Sequence, residues 1–114
     1  MISGIGASLA GLAAFEKKLS NAANNIANSD TAGYKKTESV ITEDAAGLPE
    51  VSLSRVDSPG PLVQEPDGRM SEQSNVDLAE ELTQSTLAQR GYEANLKVLQ
   101  AQNNMLGSTL DILV

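Results

Sequence analysis

The chain contains no cysteine, no histidine and no tryptophan, and only three of its 114 residues are aromatic: Phe15, Tyr34 and Tyr92. Without cysteine there is no disulfide, no thiolate nucleophile and no zinc–thiolate site. Without histidine the commonest general base and the commonest transition-metal ligand are both missing. The carboxylates Glu72, Glu80 and Glu81 have no basic partner of that kind, so the protein is expected not to be an enzyme, with no catalytic residue, metal or cofactor. Positive charge is scarce too. Eight Lys and Arg stand against fifteen Asp and Glu, a net charge of −7, which excludes counterion-release binding to nucleic acid and attraction to an anionic membrane surface. Long apolar runs are lacking as well. Residues 1–15 are uncharged, but they are rich in Gly, Ser and Ala and too short to span a bilayer. Glu16, Lys17 and Lys18 follow that run and no Lys or Arg precedes it, so neither a membrane segment nor a cleaved signal peptide is expected.

What the chain does have is period. Leu78, Leu82, Ser85, Gln89, Tyr92, Leu96, Leu99, Asn103, Leu106, Leu110 and Leu113 follow an unbroken 4-3 spacing, with no proline among them. A mean step of about 3.5 residues is the mark of a long helix that buries one seam against another helix. Such a helix is about 54 Å long at 1.5 Å per residue, more than a chain of 11.9 kDa can wrap around. Ile5, Leu9, Leu12, Leu19, Ala23 and Ile26 lie on the same lattice near the other end, with Glu16 as the one charged intruder. Ser85, Gln89 and Asn103 interrupt the second stripe and either set its register or face water.

Composition divides the chain into three. Residues 1–36 carry four Lys against Glu16 and Asp30, and Asn28 to Gly33 is a run of cap and turn residues that ends the first helix near Asn28. Residues 37–75 hold every proline (Pro49, Pro59, Pro61, Pro66) and eight acidic residues against Arg55 and Arg69, which rules out a single helix there. Within it, Ser39–Thr42 and Val51–Leu53 are short and β-prone, and Asp67-Gly68 is a tight-turn pair. The last helix starts at Asn75 or Asp77, with Ser74 and Asn75 as candidate caps and Glu80 and Glu81 near its positive end.

The expected fold is therefore mainly α. The N- and C-terminal helices pack as an antiparallel coiled-coil pair (residues 1–36 and 74–114), with a short irregular or β-hairpin insert at 37–73. Burying one Leu is worth about 1.5–3 kcal/mol, whereas ordering costs about 1–2 kcal/mol per residue for the backbone alone. A lone two-helix hairpin thus sits near zero net stability, and neighbouring molecules supply the rest.

Two segments go beyond periodicity. Ser20 to Lys36 contains Asn24-Asn25-Ile26-Ala27-Asn28 followed by Thr31-Ala32-Gly33-Tyr34-Lys35, and Ser74-Asn75-Val76-Asp77-Leu78-Ala79-Glu80-Glu81 leads into Gln89-Arg90-Gly91-Tyr92-Glu93-Ala94-Asn95. In order and at opposite ends, these closely resemble the N- and C-terminal signatures of the bacterial flagellar rod and hook proteins. The resemblance carries over Asn24, Asn25, Ala27, Asn28, Thr31, Gly33, Tyr34 and Lys35 at one end. At the other it carries over Asn75, Val76, Glu81, Gln89, Arg90, Tyr92, Glu93 and Asn95.

The resemblance implies an axial subunit of the flagellar basal body. It would be stacked with copies of itself and with other rod proteins into the periplasm-spanning tube, and exported unfolded, without cleavage, by the flagellar type III apparatus. The short middle segment is like that of the small proximal-rod class. Gly91 stands where the family usually has Ala, a helix cost of about 0.8–1 kcal/mol. Asn21, Asn24, Asn25 and Asn28 are expected to hydrogen-bond across subunit contacts. Arg90 and Glu93 are expected to form at most a weak exposed pair, and Lys35-Lys36 a solvated turn. The competing reading is a soluble helical adaptor or export-chaperone-like module that forms a discrete oligomer.

Overall fold

A computed structural model describes residues 2–114. Helix α1 spans Ile2–Ala27. Strands β1 (Thr37–Glu43) and β2 (Pro49–Arg55) form one antiparallel hairpin, and β3 (Leu62–Gln64) and β4 (Met70–Glu72) form a second. Helix α2 spans Leu78–Leu113 and is 36 residues long. The two helices run antiparallel with the hairpins gathered at one end, so the fold is mainly α with a small β insert. The molecule measures 78 × 25 × 13 Å with a radius of gyration of 20.1 Å, against about 13 Å for a globular chain of this length.

Local chemistry accounts for the boundaries. After Ala27 the backbone tightens into turns, Asn28 N donating to Asn24 O at 3.2 Å and Ser29 N to Ile26 O at 3.2 Å. Gly33 then takes φ +70°, the left-handed conformation a side chain would disfavour. Helix α2 is capped by Asp77, whose carboxylate accepts from Ala79 N at 3.0 Å and Glu80 N at 3.2 Å. Ser74 and Asn75 are not its caps. Ser74 Oγ accepts from Val76 N, and Asn75 faces back into the β insert. The Asp67-Gly68 turn closes the second hairpin with Gly68 at φ +85°, while the prolines leave no helix between Thr37 and Asp77.

The first hairpin lies across α1. In its pairing register Ile41 stands opposite Val51 and Ser39 opposite Leu53, and these residues share the face turned to the helix, where Val51 is 5% exposed. The buried apolar core among the described residues is thin, namely Ala14, Ala22, Val51 and Ala88, and buried polar residues (Ser8, Asn21, Asn25, Ser74, Glu81) are as numerous.

Candidate assembly surface

The helices meet along small and polar side chains. Asn95 lies against Gly11, Gln102 against Gly4, and Phe15 against Gly91, while Ser8 Oγ donates to Gln102 Oε1 at 3.1 Å. On α1 the facing positions are Gly4, Ser8, Gly11, Phe15, Lys18, Ala22 and Asn25, and on α2 they are Glu81, Ser85, Ala88, Asn95, Leu99, Gln102 and Leu106, each half-buried or buried. Both sets follow the helical repeat; the α1 set stands one residue off its leucine lattice, while the α2 set shares Ser85, Leu99 and Leu106 with its lattice. A Cβ on Gly11 would stand 2.5 Å from Asn95 Nδ2 and one on Gly91 would run into the Phe15 ring, so glycine here is what lets the helices approach. Gly91, which looks like a helix cost in the sequence, is a socket for Phe15.

The leucine lattices consequently stay largely open. Leu9 is 52% exposed, Leu19 39%, Leu78 47%, Leu82 51%, Leu96 38%, Leu110 60% and Leu113 78%, with Tyr92 at 38%. Ile5, Leu12, Ile26, Leu99 and Leu106 are half-buried. The two lattices lie on one side of the molecule. Ala10, Ala14 and Lys17 line the contact with the first hairpin; Leu12 and Leu19 are two residues from Ala10 and Lys17, about 200° round the helix at 100° per residue. On α2, Glu80 and Gln84 line the groove against β1, and Leu78 and Leu82 are again two residues away. The result is one apolar face, shared by both helices, turned away from the hairpins.

The helices also differ in reach. With Gly4 beside Gln102 and Gly11 beside Asn95, α1 begins opposite about residue 104. The last turns of α2, about nine residues and 14 Å long, continue beyond it carrying Met105, Leu110, Ile112 and Leu113, all exposed.

Seven of the signature residues, Asn25, Gly33, Tyr34, Lys35, Asn75, Val76 and Glu81, gather where the helices and the first hairpin join. The Asn25 side chain, 0% exposed, donates to Thr37 O at 2.8 Å and accepts from Tyr34 Oη and Thr37 N, both at 3.1 Å. Asn21 Nδ2 donates to the same Thr37 O at 2.6 Å. Asn75 Oδ1 accepts from Lys36 N at 2.6 Å, and its amide donates to Val56 O at 2.8 Å and Ser58 O at 3.0 Å. Lys35 pairs with Glu72 and donates to Ser58 O at 3.0 Å, and Lys36 pairs with Glu80 at 2.8 Å. Gly33 N reaches Glu72 O at 2.8 Å.

Lys35-Lys36 is therefore not a solvated turn. Its two side chains are 14% and 12% exposed, because each has a carboxylate waiting on another element. Asn21 and Asn25 spend their amides inside the chain, and Asn28 bonds locally, donating to Asn24 O at 2.9 Å and accepting from Thr31 Oγ1 at 3.1 Å. Val76 is half-buried beside this cluster, and Asn24 and Ala27 face outward. Farther along α2, Gln89 Nε2 donates to Glu93 at 3.2 Å, so glutamine takes the place expected for Arg90, which is exposed.

Three ionisable groups in this cluster are displaced. Burial pushes the Glu81 carboxyl above its ordinary range, opposed by the Asn25 amide and the Lys36 ammonium and reinforced by Glu80 and Glu38. The hydrogen bond from Lys35, then that from Gly60 N, holds Glu72 below its ordinary range. Lys36 is raised by its bond to Glu80. Chemically this is a clasp: amides and ion pairs tie α1, the loop after it, β1 and the start of α2 into one register. Periodicity gave no sign of it, since an asparagine on a polar helix face looks the same whether solvated or buried.

Comparison with known proteins bears on both ends of the chain. Residues 7–35 match the family described as flagella basal body rod protein, and residues 68–112 match that described as flagellar basal body rod FlgEFG protein C-terminal. Over 119 aligned residues the chain is 31% identical to the flagellar basal-body rod protein FlgC of Salmonella typhimurium (strain LT2), covering 89% of each chain, and equally to that of Salmonella typhi.

Proposed function

The chain belongs to the flagellar basal-body rod protein family, and from that premise we propose that it is a structural subunit of the rod, built into the wall by packing of its terminal helices against other subunits. The observation that carries this reading is the open leucine face: with the two helices paired, Leu9, Leu78, Leu82 and Leu110 are each about half exposed or more. Contiguous exposed apolar surface on this scale marks a binding face. Its partners are other copies of the chain and sister axial proteins, and the helices (1–36 and 74–114) form the assembling unit while the insert at 37–73 decorates it.

The same features suit export through the flagellar type III apparatus without a cleaved signal. The buried apolar core is thin, so unfolding for passage costs little, and no helix among the described residues is long and apolar enough to cross a membrane. Analytical ultracentrifugation over a concentration series tests the proposal. The purified protein should grow into open-ended species, and Leu82→Arg with Leu96→Arg should hold it monomeric with its helicity intact. A single closed dimer or tetramer at every concentration would instead select the adaptor reading.

A further inference from the structure

Helix α2 carries a second apolar stripe. Leu87, Gly91, Ala94, Val98, Ala101, Met105, Ser108 and Ile112 also follow 4-3 spacing, and Leu87 is 56% exposed, Val98 47%, Met105 51% and Ile112 85%. Leu78 and Leu87 are nine residues apart, as are Leu96 and Met105, which at about 100° per residue sets the two stripes half a circle apart. The helix is thus bounded by its own α1 on one side and by open apolar surface on two opposite flanks. The flanks differ in shape. One is mainly large leucines; the other alternates large residues with the small Ala94, Ala101 and Ser108, which leaves hollows between knobs.

They differ in charge as well. By the same angular count, Glu93 borders the leucine flank, and Glu16 sits within the leucine face of α1. Arg90, Lys97 and, near the helix end, Asp111 border the second stripe. All five are exposed, and none makes an ion pair among the described residues. Packing two leucine faces together would bring acidic groups against acidic groups. Packing a leucine face onto a second stripe brings Glu16 and Glu93 toward Arg90 and Lys97, and sets leucine knobs over hollows.

We propose that a second copy of this chain seats its leucine face on the Leu87–Ile112 stripe, so that copies join face to back. A heterologous contact of this kind leaves one free face of each type at the two ends and propagates, whereas a face-to-face contact closes as a dimer. The proposal rests on the self-assembly reading given above and specifies its geometry.

Two variants test it, each altered only at exposed positions: Leu82→Asp with Leu96→Asp on the leucine face, and Val98→Asp with Met105→Asp on the second stripe. Circular dichroism verifies that each keeps the helicity of the parent, and light scattering coupled to size exclusion reads the mass. The expected result is an open series for the parent, a monomer for each variant alone, and a heterodimer when the two are mixed, because each supplies the face the other lacks. The milder Val98→Ala with Met105→Ala should raise the concentration at which assembly begins about tenfold, roughly 1.4 kcal/mol of lost burial.

A homodimer of the second-stripe variant, or its polymerising like the parent, overturns the face-to-back contact while leaving self-assembly standing. A parent chain that stays monomeric throughout overturns self-assembly itself, and the face-to-back contact with it.

Discussion

Asn25 is the residue on which the join between helix and hairpin turns. It is completely buried and its amide satisfies both the N–H and the C=O of Thr37 while accepting from Tyr34. Asn25→Ala strands the Thr37 N–H, while Asn21 still reaches Thr37 O, and stability should fall by about 1–3 kcal/mol, read as a lower thermal midpoint and faster amide exchange at Thr37. Gly91 acts through space rather than hydrogen bonds. Ala is the better helix former by about 0.8–1 kcal/mol, yet a methyl group here meets the Phe15 ring, and overpacking of this kind costs about 1–3 kcal/mol. Gly91→Ala should therefore destabilise the chain. Gly91→Ala combined with Phe15→Leu should recover part of the loss in a double-mutant cycle.

Where α2 begins, two carboxylates respond to pH in opposite senses. Glu81 has its folded-state pKa raised by burial, so it contributes stability only in acid, below its unfolded value, and that contribution disappears as pH rises through the folded value. Glu81→Gln should accordingly raise the unfolding midpoint at pH 7, with the gap closing as the pH falls below 4. Glu72 is lowered by Lys35 and Gly60. Its contribution is present above its unfolded pKa and fades as pH falls through the folded one, so Glu72→Gln should lower the midpoint at neutral pH and leave it unchanged in strong acid. Thermal melts from pH 3 to 8 on the two variants separate these effects.

Taken whole, the protein is a 78 Å rod of paired helices whose α2 outruns α1. Deleting residues 107–114 removes exposed apolar surface. Such a deletion should leave the monomer's stability within about 0.5 kcal/mol of the parent, as for surface changes elsewhere, while it shortens both apolar flanks and raises the concentration needed for assembly. Sedimentation velocity and a thermal melt on the same sample check both halves. A drop in midpoint comparable with that of Asn25→Ala would mean that the overhang folds back onto its own chain.

The elements and their ends were legible in residue order, because helix period, the Asn28–Gly33 breakers, the four prolines and the Asp67-Gly68 turn act over one or two turns of chain. The signature segments and the leucine stripes were legible for the same reason. Tertiary structure decided which stripe the chain uses for itself. Internal pairing went to Gly4, Gly11, Ala88 and Gly91, where backbones can approach, and most of the leucines were left outside. Likewise Lys35, Lys36, Asn25 and Glu81 became buried or half-buried partners only because residues 12 to 56 positions away in sequence are folded against them. Spacing along a helix records which residues share a face; what covers that face depends on contacts between distant parts of the chain.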